Sequence, residues 1–396
     1  MNAIHSLTRR QLLTAAAAPL LPWTTLSFSA NIVAGPQRFV FVMLRGGMDG
    51  LSAVPALGDP DFASVRGTLA EFGDAPLTLD ANFALHPHLT QLHAMYARAE
   101  MVVVHATGLA YRDRSHFDAQ QVLESGSTRP FELSTGWLGR ALAHSHQKGL
   151  ALNTAVPLVL RGRGEVDTWA PSALSDPSAD LVSRLERLYA SDPALAKALS
   201  RARALHLDDP VIAGMAAPAS ITRSAGFKVL AQRAAEFLAS PAGPQVAVLE
   251  VNGWDSHVNQ ASPTSPFANN LRQLDAGLGA LRDGLIPSGT WARTVVVVAT
   301  EFGRQVTVNG TRGTDHGTGG ASFVLGGTVQ GGRVLADWPG QKPKDRFEGR
   351  DLRTTTDLRA VLIGVLSDHL HIPSKVMNTE IFPGSASVKP LSLLRG

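Results

Sequence analysis

The sequence predicts an open α/β fold built around a mostly parallel sheet. Short runs of apolar residues rich in valine alternate with segments whose apolar residues recur at helical spacing, which is typical of parallel sheets. The segment TVVVVA at 294–299 is the clearest buried strand. Four such strands, ending at Leu44, His105, Val251 and Ala299, are each followed by polar or ionisable residues. Open α/β sheets bind ligands at the carboxyl ends of their strands.

Composition and charge limit the classes of protein that this chain can represent. The 396 residues are 44% hydrophobic and 17% charged, as in ordinary globular domains. The formal net charge is only +3, and Arg9 and Arg10 supply two of the positive charges, so nucleic acid is not an expected partner. The chain has no cysteine, which excludes disulfides and thiolate metal sites. Any metal would need nitrogen and oxygen ligands.

The N-terminus predicts export. Arg9 and Arg10 precede an apolar stretch from Leu12 to Trp23, and small residues follow up to Ala30. This order is typical of a twin-arginine signal, with residues 1–30 as the signal peptide and 31–396 as one mature domain. The apolar stretch is too short to span a bilayer. We therefore expect the twin-arginine machinery to deliver a mature chain without a membrane span to the periplasm or the medium; the alternative is an ordinary basic start to a helix.

The other elements follow along the chain. Ser115 is a candidate N-cap for the second predicted helix. The leucine stripe of the segment 180–207 predicts packing against the remainder of the domain, a Pro/Ala/Gly stretch at 209–220 suggests an internal boundary, and the region of about 176–240 is interpreted as a helical insertion. Strands are predicted at 38–44, 101–105, 155–160, 245–251, 294–299, 321–325 and 333–338, and helices at 87–99, 116–126, 137–146, 180–207, 227–238, 267–285 and 354–370.

Carboxylates and histidines at the strand ends are the candidate metal ligands. Asp255 and His257 are two residues apart, so in extended backbone they share a face and both can reach one metal, although such a pair is more often part of a turn. For Asp49, shaping a turn is an equal alternative to binding metal. The complete set of candidate ligands is Asp49, Asp255, His257, Glu301, Asp315 and His316.

Three further residues are candidates for catalysis. Ser115 lies at a predicted helix N-terminus, where a hydroxyl can attack, and backbone N–H groups can hold, an anionic group. Arg114 and Arg304 are candidates for orienting that anion. Two divalent ions about 4 Å apart need a ligand set of about this size. The inventory therefore predicts a metal-dependent hydrolase of a small phosphate or sulfate ester, with Ser115 as the nucleophile; an N-cap alone is the alternative for Ser115.

Six motifs in order behind the signal carry a family resemblance: FVMLRGGMDGLS, YRDRSHFDAQ, GWLGR, NGWDSHVNQ, ATEFGR and GTDHGTGG. Over essentially the whole mature chain, they resemble the domain of unknown function 1501 family. That family is grouped with the alkaline phosphatase and sulfatase superfamily, so the resemblance implies an alkaline-phosphatase-like, three-layer α/β/α sandwich with a mostly parallel central sheet. It also implies that superfamily's two-metal site, for which zinc is the expected ion and calcium or magnesium the alternatives.

The resemblance also assigns roles by position. Asp49 corresponds to the first metal ligand, Ser115 to the nucleophile, Asp255 with His257 to the next ligand pair, and Glu301 with His316 to the last ligands. One departure concerns the late strand, where the superfamily usually carries an Asp-His pair. Here Phe302 follows Glu301 and removes one nitrogen ligand. His316 or Asp315 is the expected replacement.

A second hypothesis belongs to another class of protein. The same scaffold can serve as an exported, non-catalytic binding protein with a degenerate metal site, because a fold does not fix a function. Two bound metals would favour the hydrolase, whereas a single closed site would favour binding or structure. A purely structural secreted protein is a third and weaker hypothesis, because it does not explain why ionisable residues collect at one edge of the sheet.

Overall fold

A nine-stranded sheet runs through the computed structural model, which describes residues 35–171, 177–207 and 226–396. The predicted signal at 1–30 and the boundary at 209–220 lie outside these ranges. The strands are β1 (Arg38–Arg45), β2 (Leu77–Thr78), β3 (Ala84–Leu85), β4 (Met101–Gly108), β5 (Gly149–Ala151), β6 (Val166–Thr168), β7 (Val246–Asn252), β8 (Thr294–Thr300), β9 (Gly320–Leu325), β10 (Arg333–Leu335) and β11 (Thr356–Asp357).

The strand order places the middle of the sheet at β1. The order is β10-β4-β9-β8-β1-β7-β5-β6, and β11 also pairs with β4, while β2 and β3 form a separate hairpin. Within the nine-stranded sheet β9 is antiparallel to both of its neighbours and the other pairings are parallel. The carboxyl ends of β8, β1 and β7 therefore lie side by side at one edge.

Eleven α-helices occur in the described residues. Every one of them is too short or too polar to cross a bilayer. They are α1 (Gly50–Ala53), α2 (Phe62–Arg66), α3 (Thr90–Ala97), α4 (His116–Ser125), α5 (Trp137–Ser145), α6 (Ala179–Tyr189), α7 (Pro193–Leu207), α8 (Phe227–Ala239), α9 (Pro266–Leu285), α10 (Leu358–Leu370) and α11 (Ser374–Val376). Short 3₁₀ turns at Gly67–Ala70, Leu158–Leu160, Thr290–Arg293 and Pro343–Asp345 and a π turn at Met377–Ile381 complete the elements.

Helices cover both faces of the sheet. Because side chains alternate along a strand, Val40 and Val42 of β1 pack on one side and Phe39 and Phe41 on the other. The first side is covered by α3, α8 and α9, and the second by α4, α5 and α10. The predicted three-layer α/β/α sandwich with a mostly parallel sheet is thereby confirmed.

The prediction of a strand at 155–160 is wrong. Pro157 precedes a 3₁₀ turn at Leu158–Leu160, and Val159 N donates to Glu124 Oε2 at 3.0 Å instead of to a strand. The sheet position is taken by β5, which pairs with β6 and β7. Proline lacks the N–H that a sheet interior needs, and the buried Val159 and Leu160 of the turn imitate a strand in the sequence.

The single helix predicted at 180–207 is two helices. Asp192 Oδ1 accepts hydrogen bonds from Ala194 N at 3.0 Å and Leu195 N at 3.1 Å, and Pro193 takes the first helical position, so α7 begins there anew. The predicted packing of the leucine stripe is not found for α6. None of its residues is buried, and Leu188 is 68% exposed.

Two buried histidines make the fold sensitive to acid. His105 on β4 lies within 2.9 Å of the Val54 carbonyl through Nε2, and His369 on α10 lies 2.8 Å from the Arg38 carbonyl. Burial lowers the pKa of both imidazoles to about 4. Both are therefore neutral in the folded chain over a pH range in which the unfolded chain binds protons.

We predict that the free energy of unfolding falls as the pH decreases from about 6.5 towards 4. Each histidine contributes full stability above its unfolded pKa, and at pH 5 each should have lost about 2 kcal/mol. His369→Gln, which keeps a donor for the Arg38 carbonyl, should reduce this pH dependence. Urea unfolding at pH 7.5 and pH 5 measures it. His93→Gln, at a half-buried position on α3, is the control; an equal pH slope in both variants would contradict the prediction.

Candidate metal centre

The candidate centre lies beyond the carboxyl ends of β7 and β8, opposite the N-terminus of α4. Asp255 and His257 follow β7, Asp315 and His316 lie in the loop before β9, and His116 is the first residue of α4. The backbone packs closely here. Gly46, at the end of β1, has φ +119, and a Cβ at this position would lie 2.6 Å from Asp255 N. Glycine permits both the conformation and the close approach.

Four donor atoms converge in this centre. His316 Nε2 lies 3.0 Å from His116 Nε2 and 3.1 Å from His257 Nε2. It also lies 3.2 Å from Asp255 Oδ1. The same carboxylate oxygen lies 2.9 Å from His257 Nε2 and 3.4 Å from His116 Nε2. His116, Asp255 and His316 each place one donor atom within 4.8 Å of the other two, and His257 adjoins two of these three.

The second nitrogen of each ring has a defined partner. His116 Nδ1 lies 2.8 Å from Glu301 Oε1, and His257 Nδ1 lies 3.0 Å from Asp315 Oδ1. His316 Nδ1 lies 2.9 Å from the carbonyl oxygen of Arg114. Carboxylates and carbonyls only accept, so all three rings carry a proton on Nδ1. When the rings are neutral, each Nε2 presents a lone pair to the shared centre.

This arrangement fits a divalent metal. Three imidazole lone pairs and a carboxylate oxygen repel one another at 3 Å unless a cation lies among them. A tetrahedral ion with bonds of 2.0–2.1 Å separates its ligands by about 3.3 Å, and ligating histidines commonly donate Nδ1–H to a carboxylate or carbonyl. The distances and the Nδ1 partners both match that pattern.

The charges around the centre keep the carboxylates ionised. Burial disfavours the charge on Asp255, but the hydrogen bond and charge of Arg304 outweigh it and lower the pKa of Asp255 to about 2. Glu301 is more deeply buried, and hydrogen bonds from His116, Gln120 and the Gly46 backbone still lower its pKa. The hydrogen bond to Glu301 in turn raises the pKa of His116. For His316, burial is the main effect and lowers the pKa.

Phe302, which replaces an expected nitrogen ligand, covers one side of the centre. Its ring centroid lies 4.7 Å from that of His116 and 5.2 Å from that of His316. The side chain is buried. His116, which comes from α4 rather than from β8, supplies a ring nitrogen beside Phe302.

The structure divides the predicted ligands into three groups. Asp255, His257 and His316 lie together in the centre. Glu301 and Asp315 lie one step further out, because they contact Nδ1 atoms rather than the facing Nε2 atoms. Asp49 is placed elsewhere: its oxygens accept from Arg66 in an ion pair, from Ser52 Oγ and from Gln260 Nε2. Burial disfavours the Asp49 charge, but Arg66 and these hydrogen bonds lower its pKa.

The three predicted catalytic residues have other partners. Ser115 is the N-cap of α4 and accepts from Asp118 N at 3.4 Å, so its predicted capping role is confirmed. The Arg114 guanidinium pairs with Asp351 at 2.6 Å and with Glu348, and only its carbonyl contacts the centre. Arg304 is buried and donates to Asp255 Oδ1 at 2.7 Å and to Thr314 Oγ1 at 3.1 Å. Both arginines are therefore engaged within the protein rather than directed at an anion.

His116 is the residue that sequence reasoning missed. In the sequence, His116 follows the predicted N-cap Ser115 and indicates only the start of a helix. In the structure, the first turn of α4 places its ring beside Glu301 and His316. Gln120 was missed as well. One turn further along α4, it donates to Glu301 Oε1 at 3.1 Å. The spacing of four residues between His116 and Gln120 would have indicated a shared helix face.

Comparisons with known proteins confirm the family resemblance over the region that contains the last five of the six motifs. The family model described as "Protein of unknown function (DUF1501)" matches residues 100–372. No curated protein matches the chain. Among solved structures, a 2-O GAG sulfatase is 11% identical with a TM-score of 0.44, covering 90% of this chain and 73% of that one.

Two further solved structures show similar values. The PsFucS1 sulfatase from Pseudoalteromonas sp. is 14% identical with a TM-score of 0.41, covering 85% of this chain and 69% of that one. The phosphonate monoester hydrolase of Agrobacterium radiobacter is 11% identical with a TM-score of 0.40, covering 85% and 74%. At such low similarity the chemistry has to be inferred from the side chains of this chain.

We predict that the purified protein binds about one equivalent of zinc, since the donor atoms share one centre. Asp255→Ala and His116→Ala should each reduce retained zinc to a small fraction of an equivalent. Asp315→Asn should weaken zinc binding by about 10–100-fold, because it loosens only the partner of His257. Elemental analysis and competition with a chelating dye measure both quantities. His93→Ala is the control, and unchanged zinc content in His116→Ala would contradict the assignment.

Proposed function

Because the chain belongs to the DUF1501 family, whose description gives no function, we propose an activity from its own side chains: metal-dependent hydrolysis of a phosphate or sulfate ester. The observation that carries this proposal is the convergence of three histidine Nε2 atoms on Asp255 Oδ1, with each Nδ1 already committed. Such a donor set has little purpose without a cation. A centre of this kind is suited to activating a nucleophile and to neutralising an anionic substrate.

The proposed ion is a single Zn²⁺ held by His116, Asp255 and His316, with His257 as the fourth ligand. Imidazole nitrogen suits zinc and related transition metals, whereas calcium and magnesium prefer oxygen. The sequence-based expectation of two ions counted Asp49 among its six candidate ligands. We leave Asp49 out of the set because its oxygens are engaged by Arg66, Ser52 and Gln260.

In the proposed mechanism, the residues around the ion set protonation and position. The ion, when bound, would supply Lewis-acid activation and charge neutralisation. Glu301 and Asp315 hold protons on the Nδ1 atoms of His116 and His257, which keeps the opposite nitrogens basic. Arg304 donates a hydrogen bond to Asp255 Oδ1, which keeps this carboxylate ionised. The buried Phe302 ring excludes water from the side that it covers.

Ser115 is the proposed nucleophile. It directly precedes His116, and as an N-cap it stands where backbone N–H groups and the helix dipole favour an anion. Its oxygen accepts a long hydrogen bond from Asp118 N, and its hydroxyl also forms a hydrogen bond with the phenol of Tyr111. Arg114 and Arg304 are not proposed as anion clamps, because their guanidinium groups are already bound to carboxylates.

Solvent access favours catalysis over a purely structural ion. The side chain of Asp255 is 42% exposed and that of His257 is 40% exposed, so a substrate can reach the donor atoms. Because four protein ligands alone are typical of a structural zinc site, a substrate in the proposed hydrolase would have to displace His257 or join as a fifth ligand. The second candidate function, an exported binding protein that uses the metal to hold an anion, shares this accessibility and differs only in turnover. We also propose twin-arginine export, on the residues Arg9, Arg10 and Leu12–Trp23.

We predict slow but measurable hydrolysis of p-nitrophenyl phosphate or p-nitrophenyl sulfate by the zinc-loaded protein. Ser115→Asn, which preserves helix capping but lacks a hydroxyl, should lower kcat by about 10³-fold or more while retaining zinc. Ser115→Thr keeps both groups and should retain part of the activity. Release of p-nitrophenol and elemental analysis measure the two effects.

The controls separate the two candidate functions. Asp255→Ala should lose both zinc and hydrolysis. Full activity in Ser115→Asn would remove Ser115 as the nucleophile without affecting the metal. Full zinc occupancy without hydrolysis of either ester, together with saturable binding of inorganic phosphate or sulfate, would favour the binding protein.

A further inference from the structure

The loop that follows β1 lies behind two of the candidate metal ligands. It consists of Arg45-Gly46-Gly47-Met48-Asp49 and is named the β1 loop here. Its backbone contacts Glu301 directly, since Gly46 N donates to Glu301 Oε1 at 2.8 Å. Its two charged residues, Arg45 and Asp49, each form a hydrogen bond with a glutamine.

Arg45 orients Gln120. Arg45 also pairs with Glu250 at 2.8 Å and with Glu124 at 3.0 Å, which fixes its guanidinium. From that position it donates to Gln120 Oε1 at 3.1 Å, and Gln120 Nε2 donates to Glu301 Oε1 at 3.1 Å. Glu301 in turn holds His116 Nδ1 at 2.8 Å.

Asp49 orients Gln260. Gln260 Nε2 donates to Asp49 Oδ2 at 2.6 Å, and its Oε1 accepts from Thr314 Oγ1 at 2.7 Å. Because its hydroxyl proton is committed to Gln260, Thr314 Oγ1 accepts from Arg304 Nε at 3.1 Å. Arg304 then donates to Asp255 Oδ1 at 2.7 Å. Gln260 and Thr314 are both buried.

The charges of the β1 loop determine which way each amide points. A guanidinium only donates, so Gln120 must turn its oxygen to Arg45 and its NH₂ to the Glu301 carboxylate. A carboxylate only accepts, so Gln260 must turn its NH₂ to Asp49 and its oxygen to Thr314. Reversing Gln120 would place donor against donor at Arg45 and acceptor against acceptor at Glu301. Reversing Gln260 would place acceptor against acceptor at Asp49, while the Thr314 hydroxyl can either donate or accept. Arg45 thus supports the Glu301 carboxylate through Gln120. Asp49 supports Arg304 through Gln260 and Thr314.

We propose that Gln120 and Gln260 are positioning residues for the metal centre, and that Arg45 and Asp49 set their orientation. Gln120 acts on His116 through Glu301, and Gln260 acts on Asp255 through Thr314 and Arg304. The β1 loop therefore fixes two ligands from different elements relative to each other. This inference rests on the metal centre of the proposed function, and it gives Asp49 a role other than that of a ligand.

The first test measures Zn²⁺ and Co²⁺ affinity for Gln120→Leu and Gln260→Leu in the full chain. We expect each dissociation constant to rise by about 10–100-fold, as for other groups that support metal ligands, and the Co²⁺ absorption bands to change. Because the two supports act on different ligands, the double variant should approach the product of the two effects. Affinity in Gln120→Leu equal to that of its control would overturn the proposal for that residue.

Matched controls use glutamines outside the network. Gln121→Leu makes the same change one position further along α4, where Gln121 Oε1 has no hydrogen-bond partner among the described residues. Gln341→Leu makes it at a buried glutamine whose amide atoms also lack partners in the described part of the chain. Both controls should bind Zn²⁺ within about 2-fold of the unmodified chain, as expected for sites without shared partners.

A polarity exchange tests orientation rather than packing. Gln260→Glu alone sets two carboxylates against each other and should weaken Zn²⁺ binding by at least about 10-fold. Adding Asp49→Asn restores a donor facing Glu at position 260 and an acceptor facing Thr314, with the same net charge. Because Asp49 Oδ2 also accepts from Arg66, this change removes that ion pair as well. The double variant should therefore bind Zn²⁺ at least about 3-fold more tightly than Gln260→Glu, without reaching the affinity of the unmodified chain. No gain over Gln260→Glu would overturn the orientation argument, and it is the outcome expected if Asp49 binds the metal directly.

Hydrogen exchange of the metal-free protein separates this proposal from the proposed function. Faster exchange of the backbone amides at 313–320 in Gln260→Leu than in Gln341→Leu would favour the proposed series of hydrogen bonds from Gln260 through Thr314. Equal exchange in the two variants would overturn it. If the unmodified chain binds neither Zn²⁺ nor Co²⁺, the proposed function fails, and the role of Gln260 is then decided by the exchange result alone.

Discussion

Electrostatic repulsion among facing acceptors is the constraint on which this site depends. Three imidazole nitrogens and one carboxylate oxygen lie 2.9–3.4 Å apart. Without a cation, such a group would relax by turning its rings. The rings keep their orientation because each Nδ1 donates to a fixed acceptor. These acceptors are fixed by further hydrogen bonds, as Glu301 is by Gly46, Gln120 and Thr300. The result is a preorganised centre, in which little rearrangement would be needed to bind a metal.

The sheet provides the stiffness that this constraint needs. β8, β1 and β7 are neighbours at the centre of the sheet, and their carboxyl ends deliver Glu301, the β1 loop and Asp255 to one place. Helices on both faces bury these strands, so their ends cannot shift independently. His116 comes from α4 on one of the covering layers, and Phe302 packs against it. One candidate ligand is thus supplied by a helix and the others by loops at the sheet edge.

The same geometry accounts for the proposed chemistry. A nitrogen-rich donor set with one carboxylate would leave a bound divalent ion with net positive charge, which suits an anionic ester. The half-exposed Asp255 and His257 leave the centre open to solvent. Buried carboxylates further out, such as Glu301, maintain ring orientation without contacting a substrate. Charged groups therefore divide into those that face solvent and those that position their neighbours.

The amino-acid pattern was sufficient to predict the α/β class, most strands and helices, and the edge of the sheet where the site lies. Valine-rich strands such as β8 must be buried on both faces, and parallel strands must present their carboxyl ends together, so Asp255, His257 and His316 were identifiable. Local pattern failed at 155–160, because a buried turn after Pro157 has the composition of a strand.

Which carboxylates face the centre depends on contacts that form only in the folded chain. Asp49 and Glu301 both follow neighbouring strands, yet Asp49 meets Arg66 of α2 while Glu301 meets His116 of α4. These partners lie far away in sequence or on other elements, and no periodicity links them. Whether a carboxylate binds a metal, holds a histidine or pairs with an arginine depends on which side chain the fold brings within 3 Å of it, because electrostatic and hydrogen-bonding forces act over that distance and not along the chain.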